Sequence, residues 1–292
     1  MITPILFVPG WPNESISEYT FRLSKQTPNN SCAWQGIYAT SDHEKAKYAI
    51  CQDSIASIQT ALKLGFRPNQ IIYIKREANS ALKEIDPKTV LITYQGTNHI
   101  IPAVWWIDIP FNDLIELTPP AKPKKVSSIV SACKNLQGHR DRLQFIEHLS
   151  SLTPIDIYGR DHKSNSFNGN YKGPLVDPNR CKRKGLLPYW FSVCIENVAE
   201  NGYITEKFND ALLCFSLPLY FGAANASIYY PKTSFYSIKT LLSHEALLDI
   251  LEFINEPLNP LVLREMTLAR EQLLFRHNIW NIVYRLVKQA ES

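Results

Sequence analysis

The sequence predicts an α/β protein of two doubly wound parallel sheets facing each other, with a helical C-terminal tail. Three observations lead there. Short β-branched and aromatic runs alternate with helix-period segments from residue 5 onward, the spacing of strand, helix, strand units. The segment LTPPAKPKK at 117–125, with three prolines and three lysines in nine residues, interrupts that alternation. Beyond it the same alternation resumes over a similar length.

In the first half, ILFV at 5–8, KYAICQ at 47–52, QIIYIK at 70–75 and VLITYQ at 90–95 read as strands, and SIASIQTALKLG at 54–65 as a helix. Proline lacks an N–H and fixes φ, so 117–125 favours an extended, solvated connection. The domains are therefore expected at 1–122 and 123–292. After the connection come a strand VSSIVSA at 126–132, a helix from Arg142 to Leu152, and strands IDIYG at 155–159 and WFSVCIEN at 190–197. A helix from about Ile204 and strands LPLYFG at 217–222 and SFYSI at 234–238 follow. The stretch 161–185, rich in Asn, Lys, Gly and Pro, reads as one long mobile loop. Helical spacing marks HEALLDILEFI at 244–254 and a second long helix from about Val262 to Lys288.

Composition narrows the function classes. In 292 residues, 45% are hydrophobic and 20% charged, which supplies real cores and excludes a disordered or highly charged chain. The net charge of +4 comes from scattered basic residues and two small clusters, Lys122, Lys124, Lys125 and Arg180, Lys182, Arg183, Lys184. That pattern forms no continuous basic stripe, so no nucleic-acid partner is expected. The six cysteines, Cys32, Cys51, Cys133, Cys181, Cys194 and Cys214, have no CxxC spacing and read as reduced thiols. A run of about 18 apolar residues, the length of a membrane span, is absent, and ITPILFVPGW lacks the marks of a signal peptide. A cytoplasmic protein is expected. The tail residues Phe275, Arg276, Trp280, Tyr284 and Lys288 fit a helix against the other domain, a peripheral membrane contact or a dimer contact, three readings the sequence leaves open.

The chemistry concentrates in WFSVCIENVAENGYITEKFNDALLCFSLPLYFG at 190–222. A strand ends in the polar pair Glu196 and Asn197, and a loop leads into a helix with Phe208, Ala211, Leu212 and Phe215 on one face. In open α/β sheets this strand edge is where ligands bind, and a helix N-terminus favours anions. Lys207 stands in the first turn, against the helix dipole, which points to an anionic ligand. Beside it Glu206 has the chemistry to accept from paired ribose hydroxyls, and Tyr203 can stack or donate.

The EN pair, YITEKFNDALL and LPLYFG together closely resemble the signature of the α1,3-fucosyltransferases, and the likeness extends over about 126–240. Upstream, KKVSSIVSACKNLQGHRDRLQFIEHLSSLTPIDIYGR is similar to the family's strand, arginine-led helix, strand and YGR turn. The resemblance implies a GT-B fold of two Rossmann-like domains and transfer of fucose from GDP-fucose with inversion. It makes Arg142 the counterpart of the arginine that holds the GDP diphosphate, and Asn197, Tyr203, Glu206 and Lys207 further donor contacts. Arg160, after the IDIYG strand, is a further candidate, and Arg140 competes with Arg142. Cationic side chains at a helix N-terminus can neutralise charge growing on the leaving diphosphate, so no metal and no cofactor beyond the donor are expected. Asp108, Asp113 and Asp210 lie in apolar or helical contexts.

An inverting transfer also needs a general base. The resemblance implies a Glu in a YTGEN-like run, but TYQGTNH at 93–99 places Thr97 there, and a threonine does not serve as a base near neutral pH. His99, Asp108 and Glu116 are the alternatives in this half, and Glu196 is a candidate from the donor side. Trp11, Trp105 and Trp106 have faces for sugar stacking or for a core. The expected function is fucose transfer to an N-acetylglucosamine or glucose unit of a surface glycan, α1,3-linked, as in lipopolysaccharide biosynthesis or protein glycosylation. The alternatives are a transferase for another nucleotide sugar and a catalytically silent GDP-binding subunit. Oligomeric state stays open.

Overall fold

The structure, a computed structural model, describes residues 2–292 except 12, 79–84, 98, 176–181 and 242. Arg180 and Cys181 of the sequence argument lie outside the described residues. The chain divides into two compact units. The first comprises Met1–Val104, Ile109–Glu116 and Leu273–Ser292, and the second Trp105–Asp108 and Leu117–Gln272. The last helix thus clusters with the N-terminal sheet, whereas a boundary at 122 and 123 predicts it in the second domain.

In the first unit, β1 (Thr3–Val8), β2 (Ala33–Trp34), β3 (Ile37–Ala39), β4 (Tyr48–Gln52), β5 (Ile71–Ile74) and β6 (Ile92–Tyr94) form one sheet in the order β2-β3-β1-β4-β5-β6. All pairs are parallel except β2 with β3. Helix α1 (Ile16–Ser24) starts at a capping box, Ser15 Oγ accepting from Glu18 N and Glu18 Oε2 accepting from Ser15 N. Helices α2 (Ile55–Lys63) and α3 (Phe111–Glu116) follow. The central strands are buried on both faces, which is why β5 reads as an unbroken apolar run and β4 as one up to Gln52.

The second unit holds a five-stranded, all-parallel sheet in the order β11-β10-β9-β7-β8. Its strands are β7 (Lys124–Ile129), β8 (Asp156–Tyr158), β9 (Tyr189–Ile195), β10 (Leu217–Phe221) and β11 (Tyr236–Ser237). From β7 the chain winds through α4 (Gln137–Leu152) to β8 on one side; from β9 it winds through α5 (Glu206–Leu213) to β10 on the other. The winding reverses between β7 and β9, the topological switch point where doubly wound sheets bind ligands. Phe208 on α5 is fully buried and meets Tyr220, Tyr230 and Phe235 at ring centroid distances of 5.0, 4.9 and 5.4 Å. Burying such a side chain contributes about 1.5–3 kcal/mol, so this aromatic cluster anchors α5 firmly on the sheet.

The tail is not one long helix. After α6 (His244–Asn255), α7 (Pro260–Glu271) runs into a π-type turn at Gln272–Arg276, and α8 (Ile279–Glu291) begins afresh. Asn278 starts it, its side-chain oxygen accepting from Trp280 N at 3.0 Å. Trp280 is fully buried, with Nε1 donating to Leu23 O at 2.8 Å and its ring centroid 4.9 Å from that of Phe7 in an edge-to-face arrangement. Of the three roles left open for the tail, packing inside the first unit is therefore the one Trp280 takes.

Two loop expectations change. The 117–125 connection is not solvated throughout: Lys122 is buried and donates to Leu187 O at 2.8 Å and Cys214 O at 3.0 Å, and burial pushes its pKa down to about 8. The stretch 161–185 is partly tied down, since Asn170 O and Lys172 N bond to Ile157 and Tyr171 Oη donates to Gly159 O at 2.7 Å. A side chain that finds backbone carbonyls to satisfy it can leave water, which composition does not show.

Candidate active site

Two chain ends meet at the switch point of the second unit: the N-terminus of α4 and the residues that follow β9. Gly138, in the first turn of α4, lets them meet. A Cβ there would lie 1.8 Å from Asn197 O, so no larger residue fits this approach. The N-cap residue Leu136 makes no side-chain cap hydrogen bond, and the His139 side chain reaches back to accept from Leu136 N at 3.3 Å. One turn on, Arg142 is buried, and its Nη1 donates to Asn197 Oδ1 at 3.1 Å. Its Nε is also buried and has no partner. Burial, more than the opposing pull of Glu196, draws the Arg142 pKa below its ordinary value. An unpaired buried donor on a guanidinium costs about 1–3 kcal/mol, a cost an anionic ligand would relieve.

Glu196, at the end of β9, is 1% exposed. Its Oε1 accepts from Thr205 N at 2.8 Å and its Oε2 from Lys207 Nζ at 2.9 Å, while Thr205 Oγ1 lies 2.8 Å from both oxygens. Thr205 in turn caps α5, accepting from Lys207 N at 3.4 Å. Gly222 closes the other side, since a Cβ there would fall 2.7 Å from Glu196 Cγ and 2.3 Å from Tyr220 Oη. Glu196 is thus built into the joint between β9, α5 and β10.

Lys207 is paired with this carboxylate, so its place against the helix dipole does not require a ligand: Glu196 supplies the compensating charge. Burial works against the Lys207 ammonium, but Glu196 and Glu206 outweigh it and hold its pKa above the ordinary lysine range. Glu206 lies 3.9 Å from Lys207 and 3.8 Å from Lys182. Burial opposes its ionisation, yet these two cations bring its pKa down to about 2. Lys182 also pairs with Asp210 at 2.7 Å, and Asp210 Oδ1 accepts from Trp106 N at 2.7 Å. Burial raises the Asp210 pKa to about 6 despite Lys182.

Asn197, Glu196, Arg142, Glu206 and Lys207 therefore come together within one unit. Tyr203 is beside them but largely buried, and its carbonyl accepts from Tyr220 Oη at 3.1 Å. Arg160 follows β8 on the same sheet edge, with an exposed side chain and a carbonyl that accepts from Ala132 N at 3.0 Å. His99 is in the first unit, in an exposed turn after β6 where Thr97 N donates to Ile100 O at 2.8 Å. Asp108 is half-buried at φ 57° in the short segment that clusters with the second unit. Trp11 is 59% exposed, whereas Trp105 is buried. Among the described residues, no three His, Cys, Asp or Glu side chains converge as a metal site.

Sequence reasoning missed Thr205, Lys182, Asp210 and His139. Thr205 was visible as a capping residue ahead of an apolar helix face. Lys182 was hidden in a basic cluster that reads as surface. His139, in the first turn of α4, approaches Leu136 N and Cys133 Sγ at 3.3 Å each.

The second unit matches known proteins most clearly. Residues 119–259 match the model of the glycosyltransferase family 10 (fucosyltransferase) C-terminal domain. A fucosyltransferase-like protein of Arabidopsis thaliana is 33% identical over 129 residues, 43% of this chain and 23% of that protein. The α-(1,3)-fucosyltransferase of Helicobacter pylori is 25% identical over 114 residues, 39% of this chain and 22% of that protein. The match thus spans less than a quarter of either relative. Among solved structures, a glycosyltransferase from Rickettsia africae aligns over 99% of this chain and 98% of its own, with TM-score 0.53 and 12% identity, which shows a shared fold. With two doubly wound units, the architecture of the GT-B class, and a family 10 match over 119–259, the chain resembles the α1,3-fucosyltransferases.

Proposed function

We propose that this protein is an inverting glycosyltransferase that moves fucose from GDP-fucose to an N-acetylglucosamine or glucose unit of a glycan, forming an α1,3 linkage. The observation that carries the reading is Arg142: a buried guanidinium with an unpartnered Nε, in the second turn of α4 near its N-terminus, at the switch point of the unit that resembles fucosyltransferases. A diphosphate satisfies that donor and the helix dipole together. Asn197 and Glu206 contact the rest of the donor, Glu206 ionised and able to accept from ribose hydroxyls. Lys207 contributes positive field from its pair with Glu196.

As the bond from the fucose C1 to the diphosphate oxygen breaks, the acceptor oxygen bonds to C1 and its proton passes to a base. Charge gathers on the leaving GDP, where Arg142 and the α4 dipole stabilise it, so the reading asks for no cofactor beyond the donor. The N-terminal unit binds the acceptor glycan, and His99 and Asp108 are the candidates for the base. Among the described residues no helix is long and apolar enough to cross a membrane.

Calorimetric titration of GDP, with GDP release from GDP-fucose measured on type I, type II and simple N-acetylglucosamine acceptors, tests the reading. Acceptor-dependent release supports it, and the configuration of the product sugar reads inversion directly. Absence of GDP binding overturns the donor site. Binding without release on every acceptor overturns the transferase and leaves a GDP-binding subunit.

A further inference from the structure

Glu206 and Asp210 stand four residues apart on α5, about one helical turn, so their carboxylates share a face and repel each other. Lys182 reaches them from outside the helix, from the one-turn segment Lys182–Gly185 ahead of β9. Its Nζ lies 2.7 Å from Asp210 Oδ2 and 3.8 Å from Glu206 Oε1, so one ammonium serves both carboxylates. Both ends of this arrangement are fastened. Asp210 Oδ1 accepts from Trp106 N at 2.7 Å, and Gly185 O accepts from Ser127 Oγ at 2.6 Å. A Cβ at Gly185 would lie 3.2 Å from both Ile129 and Tyr158, so the segment that carries Lys182 sits close against β7 and β8.

We propose that Lys182 is a positioning residue that makes the site select a ribonucleotide: anchored by Asp210, it holds the Glu206 carboxylate charged and in place to accept from a pair of ribose hydroxyls. This role rests on the donor reading given above, in which Glu206 meets the ribose. The Glu206 side chain is 29% exposed and that of Asp210 1%, so Glu206 is the one of the two that can reach a ligand. Lys182 and Lys207 both approach its Oε1, at 3.8 and 3.9 Å. A carboxylate offers about four lone-pair sites, which leaves capacity to accept from hydroxyls. Lys207 cannot fill the role by itself, because its Nζ is engaged by Glu196 Oε2 at 2.9 Å. Burial opposes ionisation of Glu206, and Lys207 and then Lys182 outweigh it. Without Lys182, Glu206 and Asp210 are like charges one turn apart, and the repulsion is relieved when one takes a proton or turns away. A protonated or displaced Glu206 no longer makes charge-assisted hydrogen bonds to the ribose.

The test is calorimetric titration of GDP, and of GDP lacking both ribose hydroxyls (dideoxy-GDP), into wild type, Lys182→Met, Lys182→Gln and Lys182→Arg. Wild type is expected to bind GDP about 10-fold to 100-fold more tightly than dideoxy-GDP, the value of hydrogen bonds to a charged acceptor. Lys182→Met reduces that ratio to about threefold or less through weaker GDP binding, whereas Lys182→Arg keeps the charge and stays within about threefold of the wild-type ratio. A merely structural role weakens both nucleotides alike, so an unchanged ratio in Lys182→Met overturns the inference. So does a wild type that binds the two nucleotides equally. Failure of wild type to bind GDP at all overturns the donor reading beneath it. Should Lys182→Met not fold, Lys182→Gln decides, since it leaves an amide donor for Asp210 while removing the charge: a ratio at the wild-type level overturns the inference, and a ratio of about threefold or less supports it.

Discussion

Lys207 Nζ lies 2.9 Å from Glu196 Oε2, and both groups share the Thr205 hydroxyl at the first turn of α5. This pair fastens the end of β9 to the start of α5, so the residues that read as ligand contacts also hold the unit together. Glu196 has no exposed side-chain surface, and Lys207 keeps 20%. Removing one partner of a buried pair leaves the other charge uncompensated.

Lys207→Ala is expected to lower unfolding free energy by about 3–5 kcal/mol. Combining it with Glu196→Gln recovers a large part of that loss, because the buried charge goes too. Urea denaturation of the single and double variants checks this. A single variant unfolding at the wild-type midpoint contradicts the pairing.

Arg142 behaves in the opposite way. Its unpaired Nε is a cost to folding, so Arg142→Met should leave stability within about 1 kcal/mol of wild type. GDP affinity should fall by about 10-fold to 100-fold, the value of charge-assisted hydrogen bonds to phosphate. Thermal melts paired with calorimetric titration separate the two effects; lost stability with retained GDP binding contradicts the assignment.

Asp210 sets a pH dependence. Burial raises its folded pKa to about 6, above the unfolded value near 3.9. Between these values the folded chain holds a proton that the unfolded chain has lost, so this group's contribution to stability falls as pH rises from about 4 to about 6. Glu206 has the reverse sign: its folded pKa of about 2 contributes stability above about 4.3 that is lost as pH falls toward 2. Asp210→Asn should remove the first slope and keep the second, measured as Tm from pH 3 to pH 7. An unchanged slope between pH 4 and pH 6 contradicts the assignment to Asp210.

The approach at Gly138 is equally open to test. Gly138→Ala forces the α4 N-terminus away from Asn197 O and should cost about 1–3 kcal/mol along with GDP affinity. Gly36→Ala, where a Cβ would first meet Tyr284 at 3.4 Å, is the control and should change neither GDP binding nor α4. Equal effects of the two substitutions on GDP titration contradict the close-approach account.

How far the sequence disclosed this arrangement depended on whether a signal was local. The strands β4, β5 and β9 and the helix α5 were legible because period and burial largely coincide, with Gln52, Ser192, Asn209 and Asp210 as the buried polar exceptions. The two-residue strand β2, turning back through Gln35 at φ 50°, is too short to carry a period. The single tail helix expected from Val262 to Lys288 failed at Asn278, because a polar cap inside an apolar pattern breaks a helix without breaking its periodicity. At the site, the motif singles out Arg142, Asn197 and Glu206, and Arg142 and Asn197 are hydrogen-bonded in the structure. The Glu196–Lys207 pair joins residues 11 apart and the Lys182–Asp210 pair residues 28 apart, and nothing in the chain order announces either contact.

Acceptor-dependent release of GDP from GDP-fucose by the wild-type protein tests the central claim most directly. The account predicts release that is slow with donor alone and rises with an N-acetylglucosamine or glucose glycan, and that collapses in Arg142→Met while its fold persists. GDP binding with no release on any acceptor would contradict it.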